Sequence, residues 1–169
     1  RSSKLTMTVD AAWDAVLEGI NKYHGNDCWL YPDLVTPLRQ LFDERDHRRV
    51  KMHTVEVWAG DKLVAADLGY AVGGVYTSMS GFYDSSFPSA GSIQCCALGR
   101  LLAQQGFFLW DLGMQVGGCC CGGTARSFSH LFCFVVPPQM DYKLKLGAAE
   151  IPRATWLARA MQLRNKQCS

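Results

Sequence analysis

From Val50 onward the apolar residues of this chain recur at every second position, and that change of period constrains the fold more than any other feature of it. Residues 52–58, 63–72 and 74–79 each alternate as a strand with one buried face does. Gly60-Asp61 parts the first two runs and Gly73-Gly74 the next two, both being turn formers at hairpin spacing. The three runs predict an antiparallel meander.

Helices and two further strands fit around it. Residues 4–9 alternate enough for a strand. Asp10 reads as the N-cap of a helix over 11–24, with Trp13, Val16, Leu17, Ile20 and Tyr23 on one face, and Gly25-Asn26-Asp27 ends it. A second helix starts near Pro32 and buries Leu34, Val35, Leu38, Leu41 and Phe42. Residues 43–49 form a solvated charged stretch. After a loop from Pro88 to Gly91 comes a helix over 92–105 that stops at Gly106. Residues 107–112 form a short strand, apolar except for Asp111 and therefore central. A last helix begins near Pro152 and presents Trp156, Leu157, Ala160, Met161 and Leu163. The order β-α-α-β-β-β-α-β-α predicts an α/β (α+β) fold, a mixed sheet with helices on both faces.

At 169 residues and 49% apolar, the chain makes one domain with a proper core. It has no apolar run long enough to span a membrane and no signal peptide, so a soluble, cytoplasmic protein is expected. It opens at Arg1 without an initiator Met, which reads as a fragment; a lost leader would allow an organelle instead. A net charge of +2 does not by itself argue for nucleic acid. The cations cluster, however, as Arg45, Arg48, Arg49 and Lys51, and again as Arg153, Arg159, Arg164 and Lys166. Of the eight cysteines, Cys28, Cys95, Cys96 and Cys168 lack metal-ligand spacing and read as reduced thiols.

The others, Cys119, Cys120, Cys121 and Cys133, fall in a segment over about 115–139 that belongs to neither period. Three contiguous thiols cannot easily wrap one tetrahedral ion, so no metal site is expected. Removing 116–139 joins Asp-Leu-Gly-Met-Gln to Met-Asp-Tyr-Lys-Leu, which reads as one uninterrupted domain. The segment is read as a translated intron. Val116 can carry a GT donor, Gln139 a CAG acceptor, and residues 132–138 a pyrimidine tract. The alternative is a long loop of this lineage, which a compact domain rarely contains. A mature transcript that retains these codons would sink the intron reading.

Several blocks bear on function. They are Gly-Tyr-Ala-Val-Gly-Gly-Val-Tyr over 69–76, Gly81-Phe82-Tyr83, Leu109-Trp110-Asp111, and Leu-Gly-Ala-Ala-Glu-Ile-Pro-Arg over 146–153. Trp29-Leu30-Tyr31-Pro32 and His53-Thr54-Val55-Glu56-Val57-Trp58 add to them. Together they resemble the C-terminal domain of leucyl/phenylalanyl-tRNA–protein transferases from about Leu5 to Leu163, with the family's smaller N-terminal domain lacking a counterpart. The resemblance implies a GNAT-like fold and transfer of Leu, Phe or a similar apolar residue from charged tRNA to a protein N-terminal amine, without a cofactor. The implied partners are aminoacyl-tRNA and an acceptor N-terminus, with no membrane, and the expected state is a monomer.

By the same resemblance Asp111 is the catalytic candidate, assisting aminolysis of the aminoacyl ester. A strand-end Asp that caps a loop or pairs with an Arg is the plainer reading. Tyr76, Met79, Phe82 and Trp110 would surround a Leu or Phe side chain, or else are simply core. Arg45, Arg48, Arg49 and Arg153 are candidate tRNA contacts, or else a solvated face. The departures are a Met79 where the family has Glu, a Gly113 where it has Gln, and Ser89-Ala90-Gly91-Ser92 where it has Asn-Ala-Ser-Lys. They leave two alternatives open. One is an impaired binder of tRNA or N-termini. The other is an acetyltransferase, which the absent pyrophosphate loop before the third helix disfavours.

Overall fold

The computed structural model describes residues 4–112, 132–133 and 141–166. The sheet runs in order from β1 to β6. β1 (Leu5–Val9), β2 (Val50–Ala59), β3 (Lys62–Val72) and β4 (Val75–Tyr83) are antiparallel neighbours, so the meander is where its period puts it. β5 (Leu109–Asp111) lies parallel to β4, and the two residues of β6 (Phe132–Cys133) lie parallel to β5. Apart from those two, the segment over 116–139 read as an insert lies outside the described residues, and so do Gly113 and the cysteine triplet.

Helices cover both faces. Met52, Ala66 and Leu68 share one core with Trp13, Val16, Leu17 and Ile20 of α1 (Trp13–His24) and with Leu38 and Phe42 of α2 (Pro32–Asp43). Val55, Ala71 and Tyr76 point the other way and pack on Leu98 and Leu102 of α3 (Ala90–Gln104). α5 (Arg153–Leu163) lays Trp156, Ala160 and Leu163 on Val75 and Leu109. This mixed, mostly antiparallel arrangement is consistent with a GNAT-like fold. α4 (Asp141–Lys145) is one helical turn that the periodicity does not reveal.

Asp10 is not the cap of α1. The helix starts at Trp13 after Ala12, with no side-chain cap. Asp10 turns to β2 instead: its Oδ1 accepts from the Thr54 N–H at 3.0 Å, and its Oδ2 meets His53 Nδ1 at 2.9 Å and Arg45 Nε at 3.3 Å. The vacated role falls to Glu56. Its buried carboxylate accepts from the N–H groups of Ala11 and Ala12 at 3.3 and 3.2 Å, and from the hydroxyls of Thr8 and Thr54 at 2.6 Å each. A buried acid thus meets the positive end of α1 and is held by four donors.

A β-bulge decides what faces the functional side. Leu68 pairs with Ser80 and Gly69 with Ser78, which leaves Met79 as the extra residue. Before the bulge, Tyr76 and Ser78 face α3; after it, Met79 and Phe82 pack with the α1 and α2 core.

Candidate functional site

The lone charge in the apolar run of β3, Asp67, lies on the α3 face, 7% exposed. The Tyr76 hydroxyl donates to its Oδ2 at 2.9 Å and the Ser78 hydroxyl to the same atom at 3.1 Å. Trp110 Nε1 then donates to Ser78 Oγ at 3.0 Å. One hydrogen-bonded row therefore crosses β3, β4 and β5. Burial pushes the Asp67 carboxyl up to about 6, against the opposing pull of its Ser78 and Tyr76 donors and of Lys143. Burial and the Asp67 charge raise the Tyr76 phenol as well.

Among the described residues two cavities lie on this face, one along each flank of α3. The smaller, about 320 Å³, has Cys95, Gly99 and Ala103 of α3 on one side, Trp110 and Leu112 on another, and Lys143 of α4 across from them. The larger, about 670 Å³, has a floor of Val55, Ala71, Tyr76, Leu98 and Leu102. Its rim carries Arg48, Arg49, Lys51, Arg164 and Lys166. Tyr76 lines the larger cavity and Trp110 the smaller, so the row through Asp67 links the two walls.

The basic rim joins segments from opposite parts of the chain. Val50 pairs with Val72, the Gly74 N–H donates to Leu163 O at 2.9 Å, and α5 thereby delivers its C-terminal end beside the start of β2. Arg49 Nη2 donates to Asn165 Oδ1 at 2.5 Å, and the Lys166 ammonium sits 4.2 Å from the Phe108 ring centroid. The sequence presents two clusters; the fold makes one cleft.

The residues singled out from the sequence divide accordingly. Tyr76 and Trp110 come together through Ser78 and Asp67, whereas Met79 and Phe82 lie on the opposite face, so the four do not surround one side chain. Asp111 is half-buried at the carboxyl end of β5, and strand alternation turns it away from the face of Trp110. Arg48 and Arg49 reach the cleft. Arg45 is held instead by Asp10, with its guanidinium 4.6 Å from the Phe42 ring centroid. Arg48 also pairs with Glu44. Arg153 opens α5 and does not line the cleft. Two residues were missed. The signal for Asp67 was its isolation, since it is the sole charge between Lys62 and Asp84. No sequence signal marks Lys143. Among the described residues no His, Cys, Asp and Glu group could hold a metal ion.

A family model described as leucyl/phenylalanyl-tRNA protein transferase matches residues 1–120. Curated proteins bearing that name are similar to this chain. The one from Hydrogenovibrio crunogenus is 29% identical over 118 residues, covering 68% of this chain and 43% of that protein. The one from Proteus mirabilis is 33% identical over 82 residues, covering 48% and 33%. The one from Nitratidesulfovibrio vulgaris (strain DP4) is 28% identical over 161 residues, covering 94% and 56%. The chain thus spans between a third and somewhat over half the length of these relatives.

Proposed function

The chain belongs to the leucyl/phenylalanyl-tRNA–protein transferase family, and on that premise we propose that it is an aminoacyltransferase. It moves an apolar aminoacyl group, leucyl or phenylalanyl, from charged tRNA to the α-amine at a protein N-terminus. The observation that carries this reading is the larger cavity, with an apolar floor under a rim of five cations. A tRNA 3′ end needs both: cations for phosphates and an apolar bed for the aminoacyl side chain. The smaller cavity, across α3, supports an acceptor site.

In the reaction the amine nitrogen forms an amide bond to the aminoacyl carbon as the ester bond to the ribose oxygen breaks. The amine gives up a proton and the ribose 3′ oxygen takes one. The ester is already activated, so holding the two reactants together does most of the work. The family resemblance rather than the lining of either cavity supports Asp111, at the end of β5 and within electrostatic reach of Lys143, as the group that assists the proton's departure. The proposed substrates are made where translation occurs, which supports the cytoplasm or an organelle with its own ribosomes. The proposed state is a monomer. Among the described residues no helix is long and apolar enough to cross a membrane.

The packing of Met79 into the α1 and α2 core, at the position where the family has Glu, favours a second reading as a binder without catalysis. One assay separates them. The full chain is given labelled leucyl- or phenylalanyl-tRNA and a set of peptides differing at the first residue. Label on a peptide, falling by about 100-fold or more in Asp111→Ala, is expected. A folded chain that holds charged tRNA and labels nothing would replace the enzyme by the binder.

A further inference from the structure

Lys143 is 9% exposed, and its ammonium makes no ion pair or hydrogen bond with any described residue. Asp67, Cys95 and Asp111 act on it only through the field, and burial pulls its pKa down. A buried ammonium that no described residue contacts is a costly arrangement that a fold does not keep by default. Its nitrogen is not sealed away, because among the described residues the only sealed side-chain donor or acceptor lacking a partner is Trp156 Nε1. The ammonium therefore borders the smaller cavity, which Lys143 lines.

The rest of that cavity has a consistent character. Arg100, exposed on α3, adds a second cation at its mouth, and Trp110, Leu112 and Ala103 supply apolar wall. Among the described residues no carboxylate lines it. Asp67 lies behind the wall and spends one oxygen on the Tyr76 and Ser78 hydroxyls. An aliphatic or aromatic side chain would leave the ammonium unpaired, and a cationic side chain would be repelled by it. The side chain that satisfies the site is a short one ending in an anion.

We propose that this cavity is the acceptor site and that it takes a polypeptide whose first residue is Asp or Glu. The side-chain carboxylate pairs with Lys143, and Arg100 holds the carbonyl oxygens that follow. This rests on the aminoacyltransferase reading for the word acceptor; the preference for an acidic first residue stands on the cavity alone.

Calorimetry on the full chain tests the preference without requiring turnover. Peptides identical but for a first residue of Asp, Glu, Asn, Gln, Arg or Lys are titrated in. Asp and Glu peptides are expected to bind at least tenfold more tightly than their amide counterparts, a difference of about 1.4 kcal/mol. Lys143→Gln should abolish that difference, and Arg100→Gln, at an exposed position, should reduce it severalfold even if the first variant fails to fold. Equal binding of acids and amides, or tighter binding of Arg and Lys peptides, overturns the proposal. So does inorganic phosphate displacing the Glu peptide at equal concentration, which would make the cavity a general anion site. The transfer assay separates this from the enzymatic reading. Acid-selective binding with no labelling of any peptide keeps the pocket and sinks the transferase. Labelling that ignores the first residue keeps the transferase and sinks the pocket.

Discussion

At the scale of single residues, Asp67 is the least expected group in the molecule. An apolar residue there would extend the core; the carboxylate instead gathers Tyr76, Ser78 and, through Ser78, Trp110. The charge has a signature in pH. Burial lifts the folded pKa to about 6 from an ordinary 3.8, so the native state holds this proton more tightly than the unfolded chain does. The group's contribution to stability is therefore whole below about pH 4 and is lost as pH rises through 6, a swing of about 3 kcal/mol. Asp67→Asn keeps an oxygen for the Tyr76 and Ser78 hydroxyls and removes the charge. It is expected to melt above the parent protein at pH 8 and to lose that advantage by pH 4. Melting curves of the two proteins that shift in parallel over this range would remove Asp67 as the titrating group. The sequence displayed Asp67 as an isolated charge, but its partners depend on the bulge at Met79, which reverses which residues of β4 face α3. A one-residue slip of this kind carries no compositional mark, and so Met79 and Phe82 read as neighbours of Tyr76 when the sheet divides them.

At the scale of elements, the meander, α1 and α2 were legible because each has a strong apolar period and a glycine or proline at an end, whereas α3 showed mainly through the glycines around it. α4, a single turn, lacks the length to show a period. The joint between α5 and the β3–β4 turn was equally hidden. Gly73 has φ +55, and a Cβ there would overlap the backbone of Leu163 and Arg164. Gly73→Ala should therefore lower stability by at least about 2 kcal/mol, combining left-handed strain with a displaced helix end. Gly60, with φ +63 and nothing within 4 Å, is the control, where the same change should cost only about 1 kcal/mol. Denaturant titration of both variants checks this; equal losses would mean that α5 does not press on the turn.

At the scale of the whole molecule, a net charge of +2 conceals a strongly one-sided surface, because the fold collects Arg48, Arg49, Lys51, Arg164 and Lys166 around one cleft. Composition reported the two clusters but not their meeting, which exists only once α5 has docked. If the cleft grips phosphates, tRNA affinity falls linearly with the logarithm of salt concentration. Replacing Arg49, Lys51 or Arg164 by Gln should then lower the magnitude of that slope by about one for each cation removed. Binding measured over a salt series decides it, and slopes unchanged by all three substitutions would exclude the cleft as the tRNA path. The joining of distant segments has a further consequence at Glu56. Beside the β1–β2 ladder, this side chain and Asp10 fasten β1 and the head of α1 to a meander whose own hairpins are already complete by local pairing. The first two dozen residues should therefore behave as a separate opening unit, the last to dock in folding and the first to let go. Native-state hydrogen exchange would then find the amides of β1 and α1 released together ahead of β2 and β3, and Glu56→Gln would hasten that release alone.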